Sequence, residues 1–337
     1  MAETVKDAKG LQGQLANKMM DLFDDVANKR SQHYSEHPDE IPHPQDVDSI
    51  VARWANINMT ISAGVGLVPG PWGMAAAIPE IALIIRNLIV MIYDIGMAYG
   101  KKEVLKRELL VGVFAAAMGT GGISLLTMQG GRILVRRVSL RVLQRIIRLL
   151  AGKVTQQLLK SQISKWLPVV GAAAMAAWSR FWTRRVGRKA AEILKHEIEY
   201  VSEEIEDMLP AEIEPPAPEA EMGYEILKIQ AFINLMKVDR QIASEEREYV
   251  QEIVDKAAIS EEQRGILLSS VDTDARFPVD YASFAVIPDE AIGLLMDLVA
   301  LAKRDGTFHI SEKMYIKQAA SLMGFSDSDV EEMMATG

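Results

Sequence analysis

Apolar residues return every three to four positions along most of this chain, the spacing of one helix face. Leu11, Leu15, Met19, Leu22 and Val26 predict a first helix over 11–27, followed by a His/Pro/Glu-rich loop over 31–44. The spacing predicts a second helix from Asp46 to about Gly64. Gly64, Gly66, Pro69, Gly70 and Pro71 then break the pattern. A long helix follows from about Trp72 to Tyr99, with Pro79 early in it and Gly100 as its stop. Val104–Met118 is helical and ends at Gly119–Gly122; Ile123–Met128 is apolar up to Gln129–Gly131. Arg132–Leu159 reads as one long amphipathic helix. Pro168–Gly171 opens another, which runs to about Glu206.

Leu209–Gly223, with Pro210, Pro215, Pro216 and Pro218 among glutamates, reads as a linker. Tyr224–Gly337 is a second helical unit, in which Ser260–Gln263 matches a capping box and Ser326–Asp329 resembles one. No run of alternating strand sequence exceeds a few residues. The expected fold is all-α: a helix and loop over 1–45, an apolar Gly/Ala-rich helical domain over 46–209, a linker over 210–223 and a small helical bundle over 224–337.

Charge changes this picture more than composition does. The formal net charge of −9 hides a split. From Lys101 to Lys195 the only acids are Glu103, Glu108 and Glu192, whereas Glu197–Glu225 contains no Lys or Arg. Such local fields act within about 8 Å at physiological salt. Trp54–Pro79 and Leu109–Gly131 carry no charge at all. The absence of cysteine excludes disulfides and thiol chemistry and fits a reducing compartment. The mixed-charge start, Met-Ala-Glu-Thr-Val-Lys-Asp, does not read as a signal peptide.

Ile81–Tyr99 is the best candidate to span a membrane, but it contains Arg86 and Asp94. Each costs about 2.5–3.5 kcal/mol at mid-helix, against about 0.3–0.6 returned per Leu or Ile, so insertion is break-even or worse. A soluble or peripheral domain is favoured over an integral one. On a helical wheel Arg137, Arg141, Arg145 and Arg148 share one narrow face opposite Val142, Leu143, Ile146, Leu149 and Leu150. Arg184 and Arg185 belong to a second basic cluster, with Arg180, Arg188 and Lys189. The readings that stay open are an anionic lipid surface and a face that is either solvated or paired with the acids of Glu197–Asp207. Nucleic acid is disfavoured, because few aromatic or polar readers are interleaved.

Residues 45–200 resemble the EcsC family. The likeness rests on Ala63-Gly64-Val-Gly66, Pro69-Gly-Pro71, Pro79-Glu80, Ile95–Gly100, Leu167–Ala172, Thr183 and Gly187–Ala190; Glu80 stands where the family has Asp. It implies a bacterial, membrane-associated protein with no known catalytic residues. The C-terminal unit resembles the TerB-like tellurite-resistance family. Two segments carry the likeness, Lys237–Glu246 and Lys303–Glu312, each with Asp, six residues and Glu at a turn between helices. Together they look like an internal repeat. The resemblance implies that Asp239, Glu246, Asp305 and Glu312 hold a divalent cation such as Ca²⁺ or Mg²⁺. The same acids are equally suited to capping helix N-termini.

Of five histidines, His33, His37 and His43 cluster in the first loop, where a solvated role outweighs metal binding; none has the spacing of a known metal motif. Gly64–Gly70 and Gly119–Gly122 lack the Gly-Lys-Ser/Thr of a phosphate loop, and no GxSxG is present. The expectation is a non-enzymatic cytoplasmic protein at the inner face of the cytoplasmic membrane. It would bind anionic lipid or a membrane protein and carry a C-terminal interaction or sensing module. The alternative is a soluble, metal-responsive stress protein whose apolar domain is a packed core or an oligomerising one that builds a homo-oligomer.

Overall fold

The computed structural model describes residues 2–65, 71–118, 125–161, 171–202 and 218–336, the last span apart from 239–241, 243, 258, 287 and 305. Contacts divide the chain into two compact units: Met1–Leu159 with Trp178–Ile213, and Lys160–Ala177 with Glu214–Gly337. The class is all-α, as the periodicity predicts, with one small sheet added.

In the first unit α1 (Ala2–Glu36) packs on α3 (Pro71–Ala98) and α4 (Arg107–Ala117). Leu15, Met19, Phe23 and Val26 form its buried stripe, and Phe23 meets Phe114 edge-on at 5.8 Å. The helix does not end near Ala27 but runs on to Glu36, taking in the first six residues of the expected loop over 31–44. The stripe continues through Arg30 and Tyr34, which are turned toward the core by a buried acid rather than by hydrophobicity. The stretch from Leu15 to Tyr34 thus contributes to this core. Helix α2 (Val47–Val65) also packs on α3. Gly100, at φ +69°, ends α3: its N–H donates to Met97 O at 2.9 Å and Lys101 N–H to Gly96 O at 2.9 Å, the Schellman arrangement.

The expected single helix over 132–159 is instead a strand and a helix. Gly130 and Gly131, at φ +59° and +81°, make the two-residue turn that right-twisted hairpins require. They pair β1 (Leu126–Gln129) antiparallel with β2 (Arg132–Arg136), whose Ile133 and Val135 alternate inward. Only after Ser139, whose hydroxyl accepts from Val142 N–H, does α5 (Leu140–Ser161) begin. The next helix, α6 (Gly171–Leu194), stops well before Glu206. Its continuation is β3 (Glu197–Val201), parallel to β2 in the register Arg132↔Glu197.

The second unit is a duplicated three-helix module. Helices α7 (Pro218–Met236), α8 (Ser244–Lys256) and α9 (Glu261–Val271) are followed by α10 (Pro288–Ala302), α11 (Ile310–Leu322) and α12 (Asp327–Thr336). Ser244 and Ile310 open one pair, Glu261 and Asp327 the next, a constant offset of 66 residues. Val250/Ile316, Ile253/Ala319 and Val254/Ala320 are equivalent and buried in both copies. Both expected capping boxes form: Gln263 N–H donates to Ser260 Oγ at 3.2 Å, and Asp329 N–H to Ser326 Oγ at 3.3 Å. The Pro/Glu linker is shorter than its composition implies, because the backbone is already helical from Pro218; residues 203–217 lie outside the described residues.

Candidate functional site

The basic face of the first unit is built by α5. Its apolar side, Val142, Leu143, Ile146, Ile147, Leu149 and Leu150, is buried, which leaves Leu140, Arg141, Gln144 and Arg148 on the exposed side. Arg141 and Arg148 stand exposed there, two helical turns apart, and Leu140 is an exposed apolar residue among them. Arg137 is not on the helix. It lies in the connection from β2, with its guanidinium 5.9 Å from the centre of the Tyr200 ring. Among the described residues, no acid pairs with Arg137, Arg141 or Arg148. Arg145 is half-buried and engaged with neighbours. Of the acids expected to neutralise the face, Glu197 and Glu199 instead meet Arg132 at 3.0 and 3.4 Å, and those over 203–207 lie outside the described residues. The second cluster differs in kind. Arg184 and Arg185 are half-buried and engaged, and Arg185 lies 5.8 Å from the Trp182 ring.

Pro79–Ala98 is the one helix among the described residues long and apolar enough to cross a membrane. It is 78% buried within the unit, which is how a core helix behaves. One of its three charged residues, Asp94, is the centre of a network that the sequence did not reveal. Asp94 Oδ1 accepts from Arg30 at 2.6 and 2.9 Å and from Tyr34 Oη at 3.0 Å, with Arg53 at 3.8 Å. Burial raises the Asp94 carboxyl above its ordinary value, against the opposing pull of Arg30. A second seam joins α3, α2 and α6: Asn87 donates to Asn58 at 2.8 Å, Asn58 to Thr183 at 3.0 Å, and Thr183 to Ser179 O at 2.8 Å.

In the second unit Glu246 and Glu312 sit in the first turns of α8 and α11, and both are buried. Glu312 closes a cap, accepting from His309 N–H at 2.8 Å. Asp239 and Asp305 lie outside the described residues. Among the described residues, no three His, Asp or Glu side chains gather as metal ligands. His33 instead meets Glu40 at 2.9 Å, and His43 caps a short turn through Asp46. The lysine that opens each repeated turn has a structural task. Lys237 Nζ donates to Ser270 O and Ala275 O, both at 2.7 Å, and Lys303 Nζ to Met334 O at 2.6 Å. Each thereby holds the end of the third helix of its own module, α9 or α12.

Residues 228–335 match the family model described as tellurite resistance protein TerB. No curated protein and no solved structure matches the chain.

Proposed function

We propose, from the TerB match over 228–335 as premise, that this chain is a non-enzymatic bacterial adaptor at the inner face of the cytoplasmic membrane. Its first unit docks on anionic lipid, or on a membrane protein that presents acids, and its TerB-like unit serves interaction or sensing in a tellurite-resistance-like role. One observation carries the membrane half: Arg137, Arg141 and Arg148 stand exposed beside Leu140 without an acidic partner among the described residues. Each basic residue near an anionic surface contributes about 1 kcal/mol, falling off within a Debye length. The EcsC resemblance over 45–200 supports the same reading. The burial of Pro79–Ala98 favours peripheral contact over insertion, and also gives weight to the soluble reading in which the first unit is a self-packed core.

Flotation with liposomes separates the two. The protein is expected to rise with vesicles containing phosphatidylglycerol, to rise less with neutral vesicles, and to be released by salt. R137E/R141E/R148E should reduce binding at least tenfold with unchanged far-UV circular dichroism. Wild type that stays at the bottom of the gradient with every lipid mixture would leave the soluble reading in place.

A further inference from the structure

The duplication in the second unit supplies an internal control for its surface. Helices α8 and α11 are equivalent and bury equivalent inner faces. Their outer ridges, four positions four residues apart, are exposed in both. On α8 the ridge is Ser244, Glu248, Glu252 and Lys256. On α11 it is Ile310, Met314, Gln318 and Leu322, with Ile310, Met314 and Leu322 exposed by 72%, 66% and 54%. The module therefore folds with polar residues at all four positions, and the three apolar ones on α11 exceed what the fold requires.

Charge identifies what the ridge fits. Lys313 and Lys317 flank it, and the one acid of α11, Glu312, is buried. Lys317 meets Glu331 at 2.7 Å, an exposed pair that a competing carboxylate can replace. Elsewhere over 218–337 acids outnumber bases, so α11 is an apolar, cationic island on an acidic unit. A second copy of the ridge would set lysine against lysine, and an anionic bilayer would be repelled by the rest of the unit. A ridge of positions four apart is the packing element of the commonest helix–helix geometry. We infer that the α11 ridge is a docking surface for an amphipathic helix of a partner protein whose apolar stripe is flanked by acids. The three side chains expose on the order of 400 Å², the size of a transient contact rather than a permanent one.

The test is fluorescence anisotropy with the full chain and two labelled 22-residue synthetic helices, each with one leucine ridge flanked either by glutamates or by lysines. Wild type is expected to bind the glutamate helix at least tenfold more tightly than the lysine helix. I310S/M314E/L322K, which installs the residues of the first repeat, should weaken the glutamate helix at least tenfold at an unchanged melting temperature. K313E/K317E should reverse the preference, and R137E/R141E/R148E should leave binding within twofold. The inference is overturned by unchanged binding in the ridge variant, by loss only in the arginine variant, by preference for lysine, or by no binding. It is also overturned if the ridge variant abolishes a dimer seen by sedimentation, or vesicle binding, since the occupant would then be a second copy or a bilayer.

Discussion

Three helices meet at Asp94. Arg30 and Tyr34 on α1 and Arg53 on α2 converge on a carboxylate of α3 that is almost fully buried. Removing one partner of such a pair leaves a buried charge uncompensated, so Arg30→Met should cost about 3–5 kcal/mol in urea unfolding. Asp94→Asn should cost less. The pH dependence has a definite sign. The folded carboxyl binds its proton more tightly than the unfolded one, because burial raises its pKa. The folded state therefore gains stability as pH falls through the folded pKa, and the gain is complete below the unfolded value. Measured from pH 7 to pH 4, the stability of wild type relative to Asp94→Asn should rise; a flat difference would contradict the burial argument. Lys237→Met removes two charged hydrogen bonds at the end of α9 and should cost about 1.5–3 kcal/mol by the same measurement.

Local chemistry and packing compete for each element. Arg132–Arg136 satisfies a helical wheel, yet the Gly130–Gly131 turn makes it a strand, and β3 then supplies a parallel partner from beyond α6. Glycine has opposite meanings in different helices. A Cβ on Gly187 of α6 would lie 2.5 Å from Val51 Cγ2 and 3.2 Å from its Cβ, and a β-branched side chain has little room to move. Gly187→Ala should therefore push α2 and α6 apart and cost about 1–3 kcal/mol. Gly265, on α9, has nothing within 4 Å of a Cβ position. Gly265→Ala should stabilise by about 0.5–1 kcal/mol through lower unfolded-state entropy. Thermal melts of the pair check both signs.

For the whole molecule, the two units carry separate cores, and scanning calorimetry of the full chain can follow each. The TerB-like unit poses the ion question. If Asp239, Glu246, Asp305 and Glu312 hold a divalent cation, Ca²⁺ or Mg²⁺ should raise the melting temperature of that unit, and Asp305→Ala should abolish the gain. The cap predicts a different response: Glu312→Ala costs about 0.5–2 kcal/mol in chelator and in metal alike. A melt insensitive to every ion would assign these acids to capping alone.

Features controlled by local periodicity and turn chemistry are legible in the residues alone. These are the helical class, the stop at Gly100, the serine caps at Ser260 and Ser326, and the TerB likeness of residues 228–335. Which charges are spent and which remain depends on how the chain folds. Asp94 interrupts an apolar helix and Arg30 stands in a polar stretch with nothing in the sequence to join them, yet they pair across 64 positions inside the core. Arg132 is taken by Glu197 and Glu199, while Arg137, Arg141 and Arg148 keep their exposure. The polarity of Ser31–Pro44 concealed the last turns of α1, where Arg30 and Tyr34 make the inner face polar. The ridge on α11 became visible only beside its counterpart on α8. The physical reason is common to all four cases. Periodicity reports which side of a helix is apolar, but the partner of a charge or of an exposed ridge is set by chain segments distant in sequence.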